Sequence, residues 1–394
     1  MLGRPASLEG ERAPAFRRDL PLAVDLDRVA ALLRPEAHAR TVSLRPLAEA
    51  PLAVLGATGY TGRLVCTQAR MLGLPVRLVG RDPRRLSATA TAGDEVRIAD
   101  ARDAGALRRA FEGAFAVASC AGPFVDLGLG PPEAAVAVGA HYLDTSGEQA
   151  FGRLVHERLG AAALERGVVL LPMLGIEYAI GDLGARLAAD GQTGLDEVVV
   201  GYSVRGRGSS RGTRRTVARI MTQPLVAWSG GRLVPSRFGA TVRRLEFPDG
   251  ETDVVEWGGG EPLTVPLHTA VPEVRSYVRA PALAAHAGRA ARLLAPLARA
   301  RAAAAREGPS EAERAAKRFA VVAEARGPAG RRRATLTGRN TYGITALLVA
   351  RAAEALRAGE VRASGALAPA QALDAHVFAE RLSPLLERVD VREL

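Results

Sequence analysis

The chain has 394 residues, 48% of them hydrophobic, and a formal net charge of +11. That length suits two domains with a sizeable core, and no uninterrupted apolar run approaches the roughly 18 residues of a membrane helix. The N-terminus lacks an apolar stretch followed by a small-residue cleavage site, so a cytoplasmic protein is expected.

The positive charge would ordinarily raise nucleic acid as a partner. Lys317 is the only lysine, however, and an Arg-, Ala- and Gly-rich chain of this kind fits a coding bias spread over the surface. Aromatic residues are 4% of the chain, too few for a stacking platform, so no nucleic acid is expected. An anionic small ligand is the better use of the field. Two cysteines, Cys66 and Cys120, stand far apart, which excludes a disulfide framework and a closely spaced zinc site.

Residues 1–50 form an extension with one short helical pattern at 26–33. A regular rhythm begins at 51. Apolar runs at 52–55, 76–79, 96–98, 114–119, 141–143 and 168–171 alternate with helical stretches near 60–72, 83–92, 103–112, 131–139 and 148–166. Six strands separated by helices predict a Rossmann-type, doubly wound parallel α/β sheet over 51–174.

The rhythm changes after Pro172. Residues 198–204, 233–242 and 244–247 read as strands, 281–306 as a helix, and Gly327-Pro-Ala-Gly330 as the turn of a β-hairpin. Residues 175–340 are thus predicted to be a mixed α+β domain that holds substrate and forms dimer contacts. Residues 341–394 are read as C-terminal helices, one of them near 343–357.

The segment Gly56-Ala-Thr-Gly59-Tyr-Thr-Gly62 follows the first strand and opens the first helix, the context that makes a glycine motif a phosphate loop. Gly56 permits the tight turn, Gly59 a close approach of the pyrophosphate, and Gly62 close packing of helix on strand. Thr58 and Thr61 add hydroxyl donors beside the free N–H groups of the helix N-terminus, and Tyr60 is counted with them in the cofactor site.

The second strand ends Gly80-Arg81-Asp82-Pro83. An acid directly after this strand would suit NAD, whereas arginine suits the 2′-phosphate of NADP. Gly80 and Arg81 therefore favour NADP(H), with Arg84 or Arg85 assisting. Asp82 before Pro83 reads as a helix N-cap. Asp100, at the end of the third strand, is a candidate for the adenine or a helix cap. Cys120 and Gly122, after the fourth strand, are candidates for the ribose and nicotinamide end.

Four segments together resemble the saccharopine dehydrogenase-like oxidoreductases, and most closely their trans-acting enoyl reductases. These are the glycine loop with Gly80-Arg81, Cys120-Ala-Gly-Pro123, Tyr142-Leu-Asp-Thr-Ser-Gly-Glu148 and Gly338-Arg-Asn-Thr-Tyr-Gly-Ile-Thr345. The resemblance implies a nicotinamide-dependent reductase. Pro172-Met-Leu-Gly-Ile-Glu-Tyr178 departs from that branch's usual loop, which leaves the substrate open.

Hydride chemistry belongs to the cofactor, while the protein supplies orientation, a proton and charge stabilisation. Tyr178 and Asp144 are the catalytic candidates, with Ser146, Glu148 and Glu177 nearby in sequence. Thr145-Ser-Gly-Glu148 also fits a capping box. Lys317, alone in the chain, is set aside as a tyrosine partner.

The expected function is reduction of a C=C or C=N bond in a small or carrier-bound metabolite. The alternatives are a saccharopine-type amino acid dehydrogenase and a non-catalytic NADP(H)-binding redox sensor.

Overall fold

A computed structural model describes residues 49–286 and 307–394. The helical pattern at 26–33 and most of that at 281–306 lie outside the described residues.

The first sheet contains β1 (Leu52–Leu55), β2 (Val76–Gly80), β3 (Glu95–Ile98), β4 (Ala116–Ser119), β5 (His141–Asp144) and β6 (Val169–Leu171). All neighbours pair in parallel. Strands β1, β4 and β6 are buried at every residue, because helices cover both faces of a parallel sheet. The covering helices are α1 (Tyr60–Met71), α2 (Pro83–Thr89), α3 (Ala104–Phe111), α4 (Gly130–Val138) and α5 (Gln149–Glu165).

The strand order runs β6-β5-β4-β1-β2-β3. The chain therefore builds outward in one direction from β1 and in the other from β4. The crevice of such a sheet opens where the direction reverses, beyond the carboxyl ends of β1 and β4.

Helix α2 starts as the sequence predicts. Asp82 accepts from the Arg84 and Arg85 N–H groups at 3.0 and 3.2 Å, with Pro83 behind it. Asp82→Ala is expected to cost about 1 kcal/mol in urea unfolding. An unchanged midpoint would show that the cap is idle.

The second sheet is mixed. It has β7 (Glu197–Arg205), β8 (Leu225–Ser229), β9 (Arg232–Ser236), β10 (Val242–Phe247), β11 (Gly250–Glu256), β12 (Val274–Arg279), β13 (Arg318–Gly327) and β14 (Gly330–Arg339). The path is β10-β11-β12-β7-β13-β14, with the β8–β9 hairpin attached to β12. The predicted hairpin at Gly327–Gly330 is β13–β14.

The apolar run at 233–242 is not one strand. It breaks at Gly239, which has φ +69° and lies so close to the Ala285 backbone that any side chain there would collide with it. Residues 206–210, after β7, lead into a helix. Between α6 (Gly181–Ala189) and β8, α7 (Arg211–Ile220) begins where Ser210 accepts from Thr213 N–H. Its many arginines hid any apolar stripe; Ile220 is its one buried residue.

Helix α8 (Glu311–Ala316) precedes β13, and α9 (Thr341–Arg357) packs against α1. Residues 341–394 are not helices alone. Strand β15 (Gly365–Ala366) becomes the seventh strand of the first sheet, and β16 (Leu386–Glu393) pairs with β14 in the second. One continuous core joins the two sheets through α6 and α9: Leu52, Val54, Leu183, Tyr202, Leu336 and Ile344 belong to it.

Candidate functional site

The glycine loop is built as its spacing demands. Gly56 has φ +79° and donates its N–H to Val79 O at 2.9 Å, which ties the loop to β2. A Cβ on Gly62 would collide with the Gly56 carbonyl, so only glycine lets α1 start this close to β1. A Cβ on Gly59 would meet only Gly56 O at 3.2 Å, so this glycine faces open space. No side chain caps α1, and its first N–H groups remain for a phosphate. The loop therefore fits a dinucleotide.

Beside it, Thr58 O accepts from Arg63 Nη1 at 2.6 Å and Arg85 Nη2 at 3.0 Å. Arg81 is exposed at the end of β2. Asp100 Oδ1 accepts from Arg102 N–H at 2.9 Å, whereas the cap of α3 is Asp103.

A cleft of about 310 Å³ opens from the loop. Tyr60 and Thr61 form one end; Cys120 and Gly122 after β4, Ser146–Glu148 after β5, and Glu177 and Tyr178 after β6 form the floor. Helix α7 closes it from the second sheet. The cleft thus sits at the reversal point between β1 and β4.

Cys120 lines it as a neutral thiol, because burial pushes its pKa well above the ordinary range.

Asp144 lies behind the cleft and is fully buried. Its Oδ1 accepts from Ser146 N–H at 2.8 Å and Met173 N–H at 3.0 Å. Burial pushes its carboxyl up to about 6, against those hydrogen bonds. It fixes two turns, one of which holds Met173 at φ +62°.

Tyr178 sits in a π-helical turn, Ile176–Ile180, a local widening often found at functional sites. Its hydroxyl donates to Gly147 O at 2.6 Å, and its ring stacks on Trp257. To donate to a ligand it has to leave Gly147.

The capping-box reading of 145–148 does not hold. Glu148 is the N-cap residue of α5 and no side chain caps that helix. Its Oε2 accepts from Val125 N–H at 2.7 Å, with Arg219 Nη1 at 4.0 Å. The turn is drawn toward the second domain, where a Cβ on Gly147 would meet Thr216 at 2.9 Å and the Tyr178 hydroxyl at 3.2 Å. Ser146 consequently faces Asp144 instead of α5. Burial raises the Glu148 carboxyl.

Glu177 also lines the cleft, and burial raises its carboxyl against the opposing charge of Lys317. Lys317 is buried, with Nζ 5.5 Å from the Tyr342 ring centroid. Tyr342 packs edge-on against Tyr60 at 5.1 Å and accepts from Ser210 N–H at 2.7 Å. The lone lysine therefore stands behind the site, brought there by β13 from far along the chain. Its singularity in an arginine-rich sequence was the available signal.

Residues 56–165 match the NAD(P)H-binding domain family. The whole fold is similar to apo saccharopine dehydrogenase (L-Glu forming) from Saccharomyces cerevisiae, with a TM-score of 0.58 and 13% identity over 88% of this chain and 100% of that one. At this identity the likeness is one of fold. Triphenylmethane reductase of Citrobacter sp., solved with NADP(H), matches at 21% identity over 43% of this chain and 63% of that one, with a TM-score of 0.27. No curated protein sequence matches the chain. Among the described residues no helix is long and apolar enough to cross a membrane, and no His, Cys, Asp and Glu cluster could hold a metal ion.

Proposed function

We propose that the chain is an NADP(H)-dependent oxidoreductase that reduces a C=C or C=N bond of a small or carrier-bound metabolite. The observation that carries this reading is the single cleft shared by the glycine loop and the groups Glu148, Glu177 and Tyr178. When bound, the cofactor supplies the hydride. The chain's own work is to orient it, exclude water and manage one proton.

Gly56, Gly59, Gly62 and the first turn of α1 hold the pyrophosphate; Arg63 and Arg85, both anchored on Thr58 O, take the 2′-phosphate together with Arg81; Cys120 and Gly122 flank the nicotinamide end. Glu177 holds or gives the proton, since it lines the cleft and burial raises its carboxyl above the ordinary range. Tyr178 stabilises developing negative charge once its hydroxyl turns from Gly147. Asp144 acts as a positioning residue for the turns that carry them.

A second reading is favoured by the two cleft acids: a carboxylate near the reacting carbon suits an iminium, as in an amino acid dehydrogenase that forms or cleaves a secondary amine.

Calorimetric titration with NADPH and NADH tests the cofactor, and failure of both to bind sinks the proposal. NADPH oxidation with 2-enoyl thioesters, compared with amino acid plus keto acid mixtures, separates the two chemistries. Tight binding with no turnover on either panel supports the sensor reading instead. Glu177→Gln is expected to lower kcat about 100-fold with NADPH affinity unchanged. An undiminished kcat removes Glu177 from the reaction.

A further inference from the structure

Residues 307–309 of the second domain lie across the glycine loop. Tyr60 Oη donates to Pro309 O at 2.9 Å, and Gly308 packs so closely on the Tyr60 ring that a side chain there would collide with it. The backbone is held from the other side, since Arg211 N–H donates to Glu307 O at 3.1 Å. This fixed strap points one carboxylate at the loop. Glu307 Oε2 is 3.1 Å from Arg63 Nη2, and Oε1 is 3.5 Å from Arg85 Nη2. Both guanidiniums are also anchored on Thr58 O. Two arginines on one loop carbonyl make an anion seat, and Glu307 is the anion in it.

The location of the seat identifies its other occupant. Arg85 is in the first turn of the helix that follows β2, and the end of β2 is where a dinucleotide's adenosine ribose is recognised. Thr58 belongs to the phosphate loop itself. An anion between them lies beside the ribose 2′ position, and a guanidinium pair suits a phosphate dianion better than a single carboxylate.

We propose that Glu307 is a built-in competitor for this seat, displaced when the 2′-phosphate of NADP(H) binds to Arg63 and Arg85. This rests on the NADP(H) reading above. The strap then weakens NADP(H) selectively, since NAD(H) brings no group that must evict it. All three side chains are about half exposed, so the latch is weak and screened by salt.

The test is calorimetry on the full chain and on Glu307→Gln. The ligands are NADPH, NADH, adenosine 2′,5′-bisphosphate and adenosine 5′-monophosphate. Glu307→Gln is expected to tighten NADPH and the bisphosphate about five-fold, to leave NADH and the monophosphate unchanged, and to lose its advantage at high salt. Arg85→Met is expected to weaken NADPH and the bisphosphate alone.

An unchanged or weakened NADPH affinity in Glu307→Gln overturns the proposal while leaving the cofactor reading intact. Equal tightening of NADH also overturns it, because the strap would then act on the whole cofactor. If the wild-type chain binds neither nicotinamide, both readings fall together.

Discussion

Gly62→Ala is expected to abolish NADPH binding, with at least a 100-fold rise in Kd, while the chain still folds. The added methyl would overlap the Gly56 carbonyl oxygen and lie 2.9 Å from the Gly56 carbonyl carbon and 3.0 Å from Ala57 Cα. These are backbone atoms, so no rotamer change relieves the clash. The loop has to rise or α1 has to move outward. Helix α1 resists, because Val65, Cys66 and Ala69 on its inner face are fully buried against the sheet. Overpacking of this kind costs about 1–3 kcal/mol, which a core spanning both sheets can absorb.

The phosphate site cannot absorb it, since its N–H groups act only when they converge on one position. Gly59→Ala provides the contrast. Its methyl meets only Gly56 O at 3.2 Å and otherwise projects into the crevice. It should weaken NADPH by obstruction without lowering the urea midpoint. If Gly62→Ala binds NADPH within a few-fold of wild type, this loop is not the phosphate cradle.

The first sheet was legible because its signals are local. Strands β1–β6 are short apolar runs bounded by turn residues, and Gly62 answers a backbone constraint set within the loop itself, by the Gly56 carbonyl. Asp82 is the same kind of signal, a cap read from its own neighbours and found in place.

The second domain hid what depends on distant partners. Strand β16 is mostly polar and half exposed; it exists because β14 offers it an edge. Helix α7 has one buried residue, and its place over the cleft is set by Tyr342, 132 positions away from Ser210. The site shares this division. The loop and the acids at 144, 148, 177 and the tyrosine at 178 follow strand ends and could be named in advance. Lys317 and Glu307 reach the site only through the fold. The capping box failed for the same reason: Thr216 and Tyr178, neither of them near in sequence, decide how the turn at Gly147 runs.

Glu261→Gln is expected to change the pH dependence of stability by about 3 kcal/mol between pH 4.5 and pH 7.5. Glu261 is fully buried and accepts hydrogen bonds from the Tyr202 and Ser276 hydroxyls. Burial outweighs those bonds and pushes its carboxyl from 4.5 up to about 7. A carboxyl raised on folding favours the native state while both states are protonated. That contribution is whole below the unfolded value, near 4.5, and is lost as pH rises through about 7. Asp144, raised from 3.8 to about 6, acts in the same direction.

Two histidines oppose them. Burial pushes His141 and His156 down to about 4, and His141 Nδ1 accepts from Val169 N–H at 2.9 Å. The unfolded chain protonates these rings first, so their contribution is lost as pH falls from about 6.5 toward 4. The wild-type profile across this window is therefore shallow, two losses of opposite slope laid over one another. Glu261→Gln removes its share of the carboxyl loss, so that only Asp144 still opposes the histidine slope. Urea unfolding at the two pH values should show the variant gaining on wild type as pH rises. Parallel profiles would mean that Glu261 ionises in the native chain no differently than in the unfolded one.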